Sequence, residues 1–153
     1  MHKDTPNFLI VTLKYLLRII AQIVPPSIFR NYFYKMSGIN VGRKVFIGNG
    51  VTFIDGFLSG HIVLENGVTI SPNATIIAMS YPNASELKSF KGIVKSEKIS
   101  IGRNTWVGAS VIILPGVAIG DSCVIGAGSV VTKNIPVGEI WVGNPARFIR
   151  RVN

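Results

Sequence analysis

From Ile101 the chain repeats every six residues, as IGRNTW, VGASVI, ILPGVA, IGDSCV, IGAGSV and VTKNIP. An aliphatic residue opens each block, at Ile101, Val107, Ile113, Ile119, Ile125 and Val131. A small or β-branched residue sits four further on, at Thr105, Val111, Val117, Cys123 and Ser129, and Ile135 closes the series. The pattern also occurs earlier, in VGRKVF from Val41, IGNGVT from Ile47, LENGVT from Leu64, ISPNAT from Ile70 and IIAM from Ile76. Six is a multiple of the strand period of two and not of the helical period of about 3.6, so each block keeps one face inward as extended chain. Recurrent Gly and Pro exclude helix on separate grounds. Three such blocks close a triangular turn of about 18 residues, and successive turns stack as parallel strands about 4.8 Å apart. The expected fold is mainly β, a parallel β-helix with aliphatic ladders inside. Gly at the second position of a block is expected to allow the corner backbone. A β-sandwich would need irregular strand spacing and hairpin turns.

Residues 41–78 and 99–142 supply four to five coils. Residues 79–98, MSYPNASELKSFKGIVKSEK, break the pattern and are expected to leave the coil as an extruded loop. A polar insertion of this length on a regular scaffold tends to carry function.

The first 38 residues lack the repeat and are expected to form a helical segment ahead of a β-helix domain at 39–153. Residues 8–24 read FLIVTLKYLLRIIAQIV, with Lys14, Arg18 and Gln22 at i, i+4, i+8 on one stripe of an otherwise apolar helix. Seventeen residues give about 25 Å of helix with two charges inside, too short and too polar for a bilayer span. Asp4 and Pro25–Pro26 argue against a signal peptide. Two readings remain for this helix: packing on its own β-helix or a neighbouring subunit, or lying on the inner face of a membrane.

Sixteen basic against seven acidic residues give a net charge of +9, which favours an anionic partner. The bases are not interleaved with aromatics, so nucleic acid is not expected. A single cysteine, Cys123, allows no internal disulfide and fits a reducing, cytoplasmic setting. With only His2 and His61 in the chain, a three-histidine zinc site within one copy is excluded and no metal is expected.

The repeats, the loop and the ending VTKNIPVGEIWVGNPARFIRR together resemble the hexapeptide-repeat O-acetyltransferases, which include maltose, galactoside and bacterial polysaccharide enzymes. The resemblance covers residues 41–151. It implies a left-handed coil, a short C-terminal helix, a homotrimer, and acetyl-CoA held in a groove between subunits. It also implies particular cofactor contacts. Ala109 and Ala127 would offer backbone groups to the pantetheine arm, and Thr132 and Lys133 would meet the far end of the cofactor. Arg147 and Arg150 would meet its phosphates, and Trp106 would line the tunnel near the thioester. CoA carries several negative charges, which Arg and Lys pair by charge-assisted hydrogen bonds.

The family's general base is a histidine in the extruded loop. Here the aligned position holds Met79 or Tyr81. Methionine exchanges no proton, and a phenol in water ionises only near pH ~10. His61 lies 18 residues before Met79, one full coil away, so the two are expected to stack and His61 could be the substitute base. Asp55, in FID, resembles the family's acidic residue near the acceptor and could orient a base or a sugar hydroxyl. Three functions follow: an acetyltransferase acting on a sugar hydroxyl or amine, a CoA-binding homologue with weakened catalysis, or a non-enzymatic β-helix scaffold.

Overall fold

A computed structural model of the chain describes residues 7–25, 27–82 and 84–152. Asp4 and Pro26, used above against a signal peptide, lie outside them. Two helices open the fold: α1, Phe8–Ile23, and α2, Ser27–Met36. Asn7 caps α1 through its side chain, which accepts from the Leu9 amide.

The coil follows in short strands. The first turn holds β1 (Asn40–Val41), β2 (Phe46–Ile47) and β3 (Thr52–Ile54). The second holds β4 (Ile62–Leu64), β5 (Thr69–Ile70) and β6 (Thr75–Ile77). A hairpin of β7 (Met79–Ser80) and β8 (Lys95–Ser96) then leaves the coil as the stem of the loop, which carries a 3-10 turn at Glu86–Ser89. The third turn holds β9 (Ile99–Ile101), β10 (Trp106–Val107) and β11 (Ile112–Ile113). The fourth holds β12 (Ala118–Ile119), β13 (Val124–Ile125) and β14 (Val130–Val131). A partial fifth turn contributes Ile135 and β15 (Glu139–Val142), and β16 (Arg147–Arg151) ends the chain.

Three parallel faces result. Face one stacks β1, β4, β9 and β12; face two stacks β2, β5, β10, β13 and β15; face three stacks β3, β6, β11 and β14. The inward residues form the expected ladders. Val41, Leu64, Ile101, Ile119 and Ile135 line face one, Ile47, Ile70, Val107, Ile125 and Trp141 face two, and Phe53, Ile76, Ile113 and Val131 face three, all buried.

Three expectations change. The C-terminal helix is absent: Arg147–Arg151 runs antiparallel to β15. The last coil ends in an open strand edge, and folding the tail back as a strand pairs it where a helix would leave it bare. Gly at the second position of a block does not hold a left-handed corner. Its φ is not positive, but a Cβ on Gly48 would sit 2.6 Å from the Pro72 amide nitrogen, and one on Gly108 would sit 2.6 Å from that of Ala127. These glycines let neighbouring coils approach. The left-handed residue is the fourth of the block, at Lys44, Gly50, Gly67, Asn73, Asn104, Ser110, Gly116, Ser122 and Gly128; only the blocks from Ile76 and Val131 depart from this. Finally, not every coil has 18 residues. Thr52 pairs with Thr75, a step of 23, whereas Trp106 pairs with Val124, a step of 18. The extra residues fall between Asp55 and His61.

The helices close the N-terminal end of the prism. Each coil's carbonyls accept from the coil before it, as Val68, Ile70 and Ala74 accept from Phe46, Gly48 and Thr52. The first coil has no predecessor, so its carbonyls need other donors. Four helix side chains supply them. Asn31 Nδ2 donates to Val45 O (2.6 Å), Arg30 Nη1 to Ile47 O (2.5 Å), the Tyr34 hydroxyl to Val51 O (3.0 Å), and Arg18 Nη1 to Phe53 O (3.1 Å). Burial pushes the Tyr34 phenol up to about 12, against the smaller opposing pull of Arg30 and Arg18.

Candidate functional site

The residues singled out by sequence fall on different edges of the prism. Where face two turns into face three, the corners carry Ala109 and Ala127, one above the other, with the Gly128 amide donating to Ala109 O (2.8 Å). Their own amides donate to no acceptor among the described residues. At the preceding corner two of the equivalent amides are occupied, Arg43 N donating to Asn66 Oδ1 (2.8 Å) and Arg103 N to Asp121 Oδ1 (2.7 Å), while those of Asn66 and Asp121 donate to no acceptor among the described residues. The alanine corner therefore keeps open donors that an extended amide-bearing ligand can use.

Trp106 lies on the outer side of face two and is 54 % exposed. Its indole N–H donates to Ser71 Oγ (3.0 Å), which holds the ring across the seam between the second and third coils. Thr132 and Lys133 follow β14, where face three turns into face one on the fourth coil. Lys133 Nζ stands 5.3 Å from the centroid of the Trp141 ring. Arg147 and Arg150 are exposed on β16, opposite Val142 and Ile140. Among the described residues neither arginine nor Lys133 makes an ion pair with a carboxylate. Their charge is available to an anion from outside.

The face-three to face-one edge carries the rest. Asp55 follows β3 and His61 precedes β4, at the two ends of the inserted segment, with the stem of the extruded loop one coil above. The insertion breaks the expected stacking of His61 beneath Met79. Gly56 lies there instead, its Cβ position taken by Met79 Sδ. His61 stacks beneath the return of the loop, its carbonyl accepting from the Ile99 amide (2.8 Å). Among the described residues its Nδ1 is buried with no hydrogen-bond partner. An orphaned buried polar atom costs about 1–3 kcal/mol, which a ligand or a second copy can recover. Tyr81 stands just beyond the stem, partly exposed.

Asp55 has a different role from the one expected. It is fully buried, and both its carboxylate oxygens accept from Arg18, at 2.8 and 2.9 Å. Its Oδ1 also accepts from the Phe57 amide (2.9 Å). A carboxylate so engaged has no free oxygen for a sugar or an imidazole; it anchors α1 to the coil. Sequence reasoning missed this pair because its members are 37 residues apart. The signal was present in the irregular segment IDGFLSGHI, which does not fit the period.

A profile described as "Bacterial transferase hexapeptide (six repeats)" matches residues 98–133. Those residues carry the hexapeptide repeat of that family. It is 40 % identical to the galactoside O-acetyltransferase of Escherichia coli K12 over 133 residues, covering 87 % of this chain and 62 % of that one. The chain spans about three fifths of the length of the curated relatives it matches. Among solved structures, a maltose O-acetyltransferase from Clostridium difficile 630 superposes with a TM-score of 0.65 at 29 % identity, over 96 % of this chain and 90 % of that one. A galactoside acetyltransferase in complex with coenzyme A superposes with a TM-score of 0.69 at 28 % identity, over 100 % and 86 %. The hexapeptide repeat thus defines both the sequence period and the fold.

Proposed function

We propose that this chain transfers an acetyl group from acetyl-CoA to a hydroxyl or amine of a sugar, at a site shared between copies in a homotrimer. The observation that carries the reading is the pairing of open amides at Ala109 and Ala127 with uncompensated cations at Lys133, Arg147 and Arg150. Such a set suits a long ligand with amides along its arm and phosphates at its end. The similar galactoside enzyme solved with coenzyme A supports the choice of ligand. The identity to galactoside O-acetyltransferases supports the sugar.

Acetyl-CoA would supply the activated acyl group. The Lys133 ammonium and the two guanidiniums hold its phosphates, and the alanine amides hold its pantetheine carbonyls. The accessible side of the His61 imidazole accepts the proton of the acceptor hydroxyl as that oxygen bonds to the acetyl carbon. The carbon–sulfur bond breaks, and the same proton passes to the departing sulfur. Trp106 on face two and His61 at another edge lie apart in one chain, so a second copy must bring the two halves together.

The test measures CoA affinity and acetyl transfer to a panel of galactosides, glucosides and amino sugars. Lys133→Gln with Arg147→Gln and Arg150→Gln should weaken CoA binding tenfold or more, about 1.4 kcal/mol for each tenfold. His61→Ala should lower kcat by about a hundredfold or more with CoA affinity unchanged, and Tyr81→Phe should leave kcat within a few fold. Absence of CoA binding overturns the reading in favour of a scaffold. Binding without transfer to any acceptor overturns it in favour of a CoA-binding homologue, the alternative that Met79 in the loop supports.

A further inference from the structure

We infer that the outer face of α1 and α2 docks on an anionic lipid bilayer. It does so with α1 lying flat and Lys35, Arg43 and Lys44 engaging the headgroups. The inference stands whether or not the chain transfers acetyl groups.

The amphipathic helix α1 is mounted inside out. The two charges of its polar stripe turn toward the protein, while Gln22 stays exposed. Arg18 is 8 % exposed and bonded to Asp55, Ser37 and Phe53, and Lys14 Nζ donates to Phe57 O and Ser59 Oγ, both at 2.8 Å. The aliphatic side is left outside. Leu9, Leu13, Leu16, Ile20 and Ile23 form the outward ridge, with Leu9 and Ile23 each 73 % exposed. On α2, Ile28, Phe29, Tyr32 and Met36 are exposed as well. The polar groups were needed to cap the open coil, and that duty fixes which side of each helix remains for a partner.

Charge selects the partner. From Asn7 to Ile54 the chain contains six basic residues and no acidic one. Lys14, Arg18 and Arg30 are used internally. Lys35, Arg43 and Lys44 are exposed, and they line one cleft with Ile28 and Tyr32 of α2. Apolar side chains, a tyrosine and a cluster of cations side by side match the acyl boundary and the headgroup layer of an anionic leaflet. Among the described residues no helix is long and apolar enough to cross the membrane, so the contact is an interfacial one. A second copy fits less well. A symmetric contact would bring the two cationic clusters together. The outward ridge covers only about two heptads, and its exposed flanks, Ile10, Thr12 and Ile19, carry no charges to fix a register.

Sedimentation of the full chain with phosphatidylcholine vesicles, with and without phosphatidylglycerol, tests the inference. The chain should sediment with the anionic vesicles and be released by salt. K35Q/R43Q/K44Q should weaken that binding by about a hundredfold, at about fivefold per cation. L13S/L16S/I20S should abolish it, with the circular dichroism melt and oligomeric mass of both variants unchanged. Failure of the unaltered chain to bind anionic vesicles overturns the proposal. So does equal binding by K35Q/R43Q/K44Q, or a smaller oligomer for L13S/L16S/I20S, which would assign the face to a second copy. Acetyl-transfer assays on the same variants keep the two proposals separate, since none of these residues belongs to the acyl-transfer site.

Discussion

Arg18 bonds at once to the Asp55 carboxylate, to the Phe53 carbonyl and to Ser37, and stacks 4.7 Å from the centroid of the Phe57 ring. Nothing about a lone arginine on an apolar helix announces this; only the insertion that breaks the repeat brings Asp55 and Phe57 within reach. Arg30 shows a second solution to a buried cation. Among the described residues it pairs with no carboxylate and is held by the carbonyls of Ala21, Val24, Pro25 and Ile47 and by Asn49 Oδ1. Ala21 and Val24 are at the C-terminal end of α1, where the helix dipole favours a positive charge. The two arginines differ in what their loss of a partner would do. Asp55→Ala leaves Arg18 charged and buried with only neutral acceptors. It should destabilise the fold by about 3–5 kcal/mol, read as a lower denaturant midpoint, while the CoA affinity of the folded protein stays the same.

The glycines show how an element can be legible in outline and misread in cause. The period of six identified the strands, because inward aliphatics recur wherever two-residue alternation is kept. It did not say which position turns the corner. The second-position glycines and the fourth-position residues both look like corner devices in sequence, since Gly, Asn and Ser serve turns and close approaches alike. The backbone separates them, and the two classes should respond differently to alanine. At Gly48 the added methyl meets the Pro72 backbone of the next coil, which cannot move without opening the stack. Gly48→Ala should cost about 3 kcal/mol. At Gly128 the φ is 69° and nothing lies within 4 Å of the added carbon. Gly128→Ala should cost only about 1 kcal/mol of backbone strain. Thermal melts of the two variants compare close contact with left-handed conformation directly. The helix α1 shows a related limit. Residues at i, i+4 and i+8 share a face, but periodicity does not say whether that face looks inward or outward, and here the need for carbonyl donors turned it in.

At the scale of the whole molecule, the candidate site was legible as a set of residues but not as a place. Ala109, Ala127, Lys133, Arg147 and Arg150 follow uninterrupted repeats or the chain's end, so counting in sixes puts them where an alignment of motifs would. His61 lies before the loop and after the insertion, where the count fails by five residues, and its expected partner Met79 proved to lie above Gly56. The coil then sets Trp106 and the alanine amides on face two and its far corner, away from His61, while Lys133 shares the His61 edge higher up the prism. This dispersal has a consequence that can be measured without knowing the acceptor's identity. Under the shared site proposed above, a closed ring of copies would draw His61 from one subunit and the Ala109, Ala127, Arg147 and Arg150 contacts from the next. A chain with His61→Ala should be inactive, and so should a chain with Arg147→Gln and Arg150→Gln at limiting CoA. When the two are unfolded together and reassembled in equal amounts, random pairing makes about a quarter of the junctions intact. Acetyl transfer should return to about that fraction of the unaltered rate. A site built within a single chain could not recover, because every copy would carry a defect of its own, so a mixture as inactive as its components would remove the shared site from the proposal.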